Sequence, residues 1–209
     1  MDLLKNMITA FKDYPKLTFI LVIAVILTVF VCIMAGRASS KMSKKRNAEL
    51  QKIKEEVRLR EKFRTVDKEK LLNSDCKEII KGLTSNIQIR IEKQADIKSA
   101  FEALEKPQQY IYALNYVYFE DADSLSSFFR LNGKPLTTAA KEAFDEIVGG
   151  NEAVVFAKAY KMFDDDDETA SVIQSKVEEY DKAFEEFDKN GIFEKIRNYT
   201  AEQWEVFNK

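Results

Sequence analysis

The sequence contains no histidine and only two cysteines, and these absences exclude most familiar kinds of catalytic centre. Histidine is the commonest general base and metal ligand near neutral pH, and without one Cys76 has no partner that would activate its thiol. The chain has six glycines and no glycine-rich phosphate-binding motif. Its one glycine pair, Gly149-Gly150, is typical of a helix end. We therefore expect a protein that is not an enzyme and that holds no cofactor and no resident metal ion.

Charge is absent from one long stretch, Leu17–Gly36, which reads LTFILVIAVILTVFVCIMAG. A helix of these 20 residues would extend roughly 30 Å, the thickness of the hydrocarbon core of a bilayer. A cleavable signal has a shorter apolar run and an Ala-x-Ala-like site, and a soluble domain of this size rarely buries a helix that is apolar on every face. The stretch therefore predicts a single transmembrane helix over residues 17–36, after a short N-terminal segment over residues 1–16.

Positively charged residues flank this helix unequally. Three lysines and two aspartates precede it, whereas five cations follow it before the first acid at Glu49. Because the more positive flank normally stays in the cytoplasm, we expect a protein of the cell membrane whose C-terminal domain is cytoplasmic. The five cations that are expected to contact anionic lipid head groups are Arg37, Lys41, Lys44, Lys45 and Arg46.

Residues 37–73 are expected to form a basic juxtamembrane region and a helical stalk. The segment contains no glycine or proline and is dense in residues of high helix propensity. An apolar stripe of three residues is interrupted by two arginines where a heptad pattern would continue: Leu50, Ile53, Val57, Arg60 and Arg64. We favour a solvated spacer helix, and a stalk that dimerises as a coiled coil is the alternative.

Helical periodicity dominates the rest of the chain, residues 74–209, and predicts an all-α domain. Apolar residues recur every three or four positions, and a short strand at residues 87–91 is the one alternative. The pair Asn190-Gly191 is expected to end one helix, and Thr200 is expected to open another as part of a capping box.

Charge divides the chain as well. Residues 1–99 contain 21 Lys and Arg against 12 Asp and Glu, whereas residues 100–209 contain 12 Lys and Arg against 23 Asp and Glu.

The acidic run 164–168 does not match an EF-hand loop. Counted from Asp164, the sixth position of such a loop requires glycine, and this chain has Thr169 there. Loose binding of a divalent cation by these oxygens is an alternative. The acids that are candidates for one anionic interaction surface are Glu120, Asp121, Asp123, Asp164, Asp165, Asp166, Asp167, Glu168, Glu178, Glu179, Asp181, Glu185, Glu186 and Asp188.

Residues 107–207 also carry short motifs that resemble a known family. They read QQYIYAL at residues 108–114, FF at 128–129, NG at 132–133, TAAKEAFDEI at 138–147 and YDKAF at 180–184. The chain resembles a helical bacterial family of mostly unknown function, named after a member described as a DNA-mimic protein. It departs from that family at residues 123–127, where DSLSS replaces a turn similar to Asn-Gly-Gly-Phe. The resemblance implies an all-α domain and suggests that its acids mimic nucleic acid.

We therefore predict a non-enzymatic, single-pass membrane protein that presents an acidic helical domain to a basic protein partner in the cytoplasm. Direct nucleic-acid binding is not expected, because DNA and the acidic half of the chain repel each other. Two alternatives come from other classes of protein. One is a divalent-cation-binding protein or enzyme that uses clustered carboxylates, and the other is a membrane-tethered scaffold that forms a homodimer through its stalk.

Fractionation of cells that express the full chain tests the anchor and its orientation. We expect the protein in the membrane fraction, because transferring a 20-residue apolar helix from lipid to water is strongly unfavourable. Protease added outside intact cells should leave the C-terminal half undigested. Protein in the soluble fraction after lysis without detergent, or digestion of that half from outside, would contradict the prediction.

Overall fold

The computed structural model describes residues 27, 28, 30, 46–120, 124–164 and 174–208. Within these residues no helix is both long enough and apolar enough to cross a bilayer. Nearly all of the predicted transmembrane segment lies outside them, and so does the N-terminal segment 1–16. Of the five cations assigned to lipid contact, only Arg46 is described, and it is helical and exposed. The membrane anchor therefore stays a prediction.

The chain forms two compact units, Met1–Lys54 and Glu55–Lys209. In the first unit, residues 46–54 are helical, and the side chains of Leu50 and Ile53 are exposed. The second unit is an all-α, multi-helix domain, as predicted, with no strand among its described residues. The predicted alternative of a strand at residues 87–91 is wrong, because these residues lie within one long helix.

Ten α-helices are described in the second unit. They are α1 (residues 55–62), α2 (Lys68–Leu72), α3 (Cys76–Glu92), α4 (Ile97–Glu102), α5 (Lys106–Asn115), α6 (Leu125–Leu131), α7 (Leu136–Ala143), α8 (Gly150–Asp164), α9 (Gln174–Glu185) and α10 (Lys189–Glu202). Two π-helical turns follow α5 and α7, at Tyr116–Glu120 and Phe144–Val148, and a 3-10 helix, Trp204–Asn208, follows α10.

Aspartate side chains begin several of these helices. Asp75 accepts hydrogen bonds from the backbone N–H groups of Lys77 and Glu78 and so caps α3, and Asp67 and Asp96 cap α2 and α4 in the same way. These bonds satisfy backbone donors that have no partner within the helix.

The boundaries of α10 differ from those predicted. Asp188 caps the helix by accepting from the backbone N–H of Gly191, so Asn190 and Gly191 lie in its first turn instead of ending a helix. Glycine fits there because a Cβ atom at position 191 would lie 3.1 Å from Cγ of the Asp188 side chain. Thr200 lies inside α10 and donates its hydroxyl to the backbone oxygen of Ile196 at 2.7 Å, so the predicted capping box is wrong.

The core of the unit is rich in aromatic rings. Phe128, Phe144 and Phe156 are completely buried, and the rings of Phe144 and Phe156 stack with their centroids 4.0 Å apart. Burying each such side chain contributes about 1.5–3 kcal/mol to folding. The same cluster extends through Tyr118 to Phe184, so it joins the middle of the chain to α9.

The compact unit begins before Ser74, within the region that the sequence assigned to the stalk. Leu59, Phe63 and Leu71 are buried in its core. Within α1, Val57 is exposed and Leu59 is buried, so the apolar residues after Val57 lie on a different face of that helix. This change of face explains why arginines occupy the heptad positions that follow the stripe.

Helices α1 and α3 pack closely because Gly82 has no side chain. A Cβ atom added at Gly82 would lie 2.9 Å from the backbone oxygen of Leu59 and would overlap the ring of Phe63. One turn later, the side-chain amide of Asn86 donates to the backbone oxygens of Arg60 and Gly82, each at 3.0 Å. The contact fixes α1 on the domain through both packing and hydrogen bonds.

Replacing Gly82→Ala should lower the free energy of unfolding by about 1–3 kcal/mol, because overpacking a tight contact forces the two helices apart. The gain in helix propensity, roughly 1 kcal/mol, offsets only part of this cost. Gly133→Ala is the matched control, since a Cβ atom there meets nothing within 4 Å. Urea unfolding of the full chain in detergent measures both variants, and equal stability of the two would show that α1 is not packed on α3.

Candidate functional site

Helix α9 and the turn after it carry six of the predicted surface acids. The buried side chains of Val177, Phe184 and Phe187 hold one side of this segment against the core. Four glutamates lie on its other side and are exposed: Glu178, Glu179, Glu185 and Glu186. At 100° per residue these four fall on one continuous arc of the helix, so they form a single face. We call these four residues the α9 acidic face.

Asp181 is only partly exposed, unlike the four glutamates of the α9 acidic face. Its carboxylate accepts from the backbone N–H of Ser126 at 2.8 Å and from the Ser126 hydroxyl at 2.6 Å. Ser126 lies in the first turn of α6, where Ser124 accepts from the backbone N–H of Ser127 at 3.1 Å. Two of the unpaired donors of α6 are therefore satisfied, one locally and one by a residue 55 positions away. Asp181 thus joins α9 to α6.

The remaining predicted acids lie outside the α9 acidic face. Asp188 caps α10, and Glu120 accepts a hydrogen bond from the side chain of Asn115 at 3.4 Å. Asp164 is the last residue of α8. The other six lie outside the described residues: Asp121, Asp123, Asp165, Asp166, Asp167 and Glu168. The surface of fourteen acids therefore stays a prediction, and the part of it that the structure describes on one helix face is the α9 acidic face.

Three glutamates of the α9 acidic face differ from Glu78 in their ion pairing. Glu78 bonds to Lys62 and to Arg58, and these bonds, the one to Lys62 most strongly, lower the pKa of its carboxyl. Within the described part of the chain, no cation lies within ion-pair distance of Glu179, Glu185 or Glu186. Their negative charge is therefore presented to solvent.

The chemistry of the described residues gives little support to catalysis. The thiol of Cys76 is buried, and this burial, with a smaller contribution from Asp75, raises its pKa from 9.0 to about 12. Such a thiol stays protonated at neutral pH and is a poor nucleophile. Among the described residues no three carboxylate or thiol groups are arranged to hold a metal ion. Residues 165–168, on which the cation-binding alternative depends most, lie outside that part, so the alternative stays a hypothesis.

Sequence analysis did not identify the roles of Ser124 and Ser126. Ser124 caps α6 by accepting a hydrogen bond from the backbone N–H of Ser127. The preference of serine for helix N-termini is a signal that the sequence does contain. The pairing of Ser126 with Asp181 has no such signal, because it depends on how two distant helices pack.

Comparison with protein-family models, with curated proteins and with solved structures finds no match for this chain. The resemblance to the DNA-mimic-named family therefore stays a hypothesis. The fold and the candidate site have to be interpreted from their own geometry.

Replacing Asp181→Ala should lower the free energy of unfolding by about 1–3 kcal/mol, because the backbone N–H of Ser126 then loses a charged acceptor in a largely buried place. Glu185→Ala removes an exposed carboxylate from the same helix and should change stability by less than about 0.5 kcal/mol. Thermal or urea unfolding of the full chain compares the two variants. If the two substitutions cost the same, Asp181 is simply another surface acid.

Proposed function

We propose that this protein is a non-enzymatic, single-pass membrane protein whose cytoplasmic domain binds a basic protein through the α9 acidic face. The observation that carries the proposal is the exposure of four glutamates on one side of a helix whose other side is buried in the core. A carboxylate array on a packed helix is already ordered before a partner arrives. Binding then costs less conformational entropy than ordering a loop would.

The spacing of these glutamates suits a repeating cationic partner. Glu178 and Glu185 are seven residues apart, as are Glu179 and Glu186, so each pair spans about 10 Å along the helix. The exposed Lys182 lies between the two pairs on the same arc, so this face carries four negative charges and one positive charge. A protein that normally binds a nucleic-acid backbone carries cations in a comparable extended arrangement, and this similarity supports the mimicry hypothesis.

Electrostatic recognition favours a protein partner over lipid or nucleic acid. Anionic membranes and nucleic acids repel the acidic face, whereas a basic surface is attracted to it and oriented before contact. The predicted anchor would restrict this encounter to partners close to the membrane. The juxtamembrane cations from Arg37 to Arg46 would bind lipid head groups and leave the acidic face available.

A non-enzymatic role is supported by the residue types at hand. The chain has no histidine, and the thiol of Cys76 is buried and protonated. General acid–base catalysis by carboxylates needs a pair whose environments separate their pKa values, usually in a cleft. The α9 acidic face is exposed, which suits binding better than catalysis.

The triple variant Glu179→Gln/Glu185→Gln/Glu186→Gln tests this proposal. Wild-type protein in detergent should retain a basic partner from solubilised membranes, and the variant should retain at least about tenfold less, because each lost carboxylate weakens a charge-assisted contact. Raising the salt from about 0.15 M to about 1 M shortens the Debye length from about 8 Å to about 3 Å and should release the same partner. Quantitative mass spectrometry of the retained proteins is the measurement.

The control is Glu69→Gln/Glu102→Gln/Glu202→Gln, which removes the same charge from exposed glutamates on other helices. It should retain the partner as the wild type does. If both triple variants and the wild type retain the same proteins in the same amounts, the α9 acidic face is not the binding surface.

A further inference from the structure

Four cationic side chains line a groove beside α1, α3 and the C-terminal 3-10 helix. They are Arg60, Arg64, Arg90 and Lys93, and the groove has a volume of about 300 Å³. Glu61 is the one acid among the described residues that line it. We call this feature the basic groove. It is unexpected in a domain whose sequence is mostly acidic after residue 99.

The single acid does not neutralise the groove. Glu61 lies 3.8 Å from Arg64, and both side chains are more than half exposed, so solvent screens their attraction. Arg60 and Lys93 are further cations of the lining, so the positive charges outnumber the negative one even without Arg90. The net charge of the groove stays positive.

The walls of the basic groove are held in place by hydrogen bonds. The side-chain amide of Asn208 pairs with the backbone of Val66, accepting from its N–H at 2.9 Å and donating to its oxygen at 2.7 Å. Asn86 joins the end of α1 to α3, as described above. The end of α1 with the residues after it, α3 and the C-terminal 3-10 helix are distant in sequence, and these hydrogen bonds fix all three around the groove. Because the frame is ordered, the cations are brought together before any ligand binds.

Apolar side chains form the inner side of this space. Leu83, Ile87 and Phe207 line it and are themselves buried. Arg60 and Arg90 are only partly exposed beside this surface, so solvent screens their charges less than those of the exposed Arg64 and Lys93. Arg90 is half-buried, and burial lowers its pKa, although an arginine so placed remains charged at neutral pH.

From this arrangement we propose that the basic groove binds the phosphate group of an anionic ligand. Guanidinium groups donate two parallel N–H groups and match the oxygens of a phosphate, and lysine adds a point charge. A phosphate group offers several oxygens that arginines on different walls can share, whereas a carboxylate offers two. A phospholipid head group and a soluble phosphate compound present the same chemistry. The groove uses none of the side chains of the α9 acidic face, so the two proposals stand or fail separately.

The test compares two double variants of the full chain in neutral detergent. Arg64→Gln/Lys93→Gln removes two exposed cations of the groove, and Lys158→Gln/Lys161→Gln removes two exposed cations of α8 that do not line it. The first probe is inorganic pyrophosphate, titrated by calorimetry. The second is phosphatidylglycerol added to phosphatidylcholine micelles, with thermal unfolding of the protein as the readout, since a ligand of the native state raises its stability.

We expect the groove variant to lose at least about tenfold in affinity for one probe, because hydrogen bonds to charged groups are the strong ones. The α8 variant should bind as the wild type does. If the groove variant loses affinity for pyrophosphate, the ligand is a soluble phosphate compound. If it loses only the response to phosphatidylglycerol, the ligand is a phospholipid head group. Arg60→Gln, which removes a third cation of the groove, should repeat the same effect.

Three results would overturn the proposal. One is that wild-type protein responds to neither probe. Another is that both double variants weaken binding equally, which would mean diffuse attraction by surface cations. The third is that the groove variant keeps both responses but changes the oligomeric state in sedimentation, which would assign the groove to contact with a second copy. Circular dichroism of each variant checks that its helices are retained.

Discussion

The close contact between α1 and α3 at Gly82 is the constraint on which much of the second unit depends. Because no side chain separates the two helices, Leu59 and Phe63 reach the core and the chain joins the domain at Glu55. The same contact places Arg60 beside the last turns of α3. The extent of the domain and the existence of the basic groove therefore have one physical cause.

A second set of contacts holds α9. Phe184 packs against Tyr118 and Phe187, and Asp181 bonds to the first turn of α6. Apolar packing and a charged hydrogen bond thus act on the same helix from the same side. The opposite side has no core to join, so its glutamates remain in solvent. The acidity that the sequence spreads over many positions becomes a defined face only through this anchoring.

The α9 acidic face and the basic groove have opposite charge and are built from different kinds of structural element. The α9 acidic face is a group of exposed carboxylates on one packed helix, which suits salt-sensitive recognition of a surface. The basic groove is lined by three segments and has buried apolar side chains in its lining, which suits a small anionic group. In a domain that the sequence predicts to be tethered at a membrane, such polarity would orient the domain as well as select its ligands.

Several parts of the fold could be predicted from local patterns. The periodic apolar residues that end in Phe184 and Phe187 predict α9, and the domain is all-α as that periodicity requires. The π-helical turn at Phe144–Val148 could not be predicted in this way, because it changes the periodicity at a place chosen by core packing. The same holds for Thr200, whose hydroxyl bonds within α10 although its sequence context is that of a cap.

The candidate site shows the same division. The sequence identifies Glu185 and Asp181 as acids on one helix, and nothing local distinguishes an exposed carboxylate from one that bonds to Ser126. No sequence pattern relates Arg60 to Lys93, because the two line the same groove only when α1 packs on α3.

By itself, the sequence determined the helical class, the excess of acids and the uncharged stretch that predicts the anchor, because each follows from the residues of one segment. The tertiary structure alone decided where the domain begins, which acids remain in solvent and which cations share a groove. These depend on contacts between residues far apart in the chain. Such contacts depend on how well whole helices pack together, and this packing cannot be predicted from the residues of any single segment.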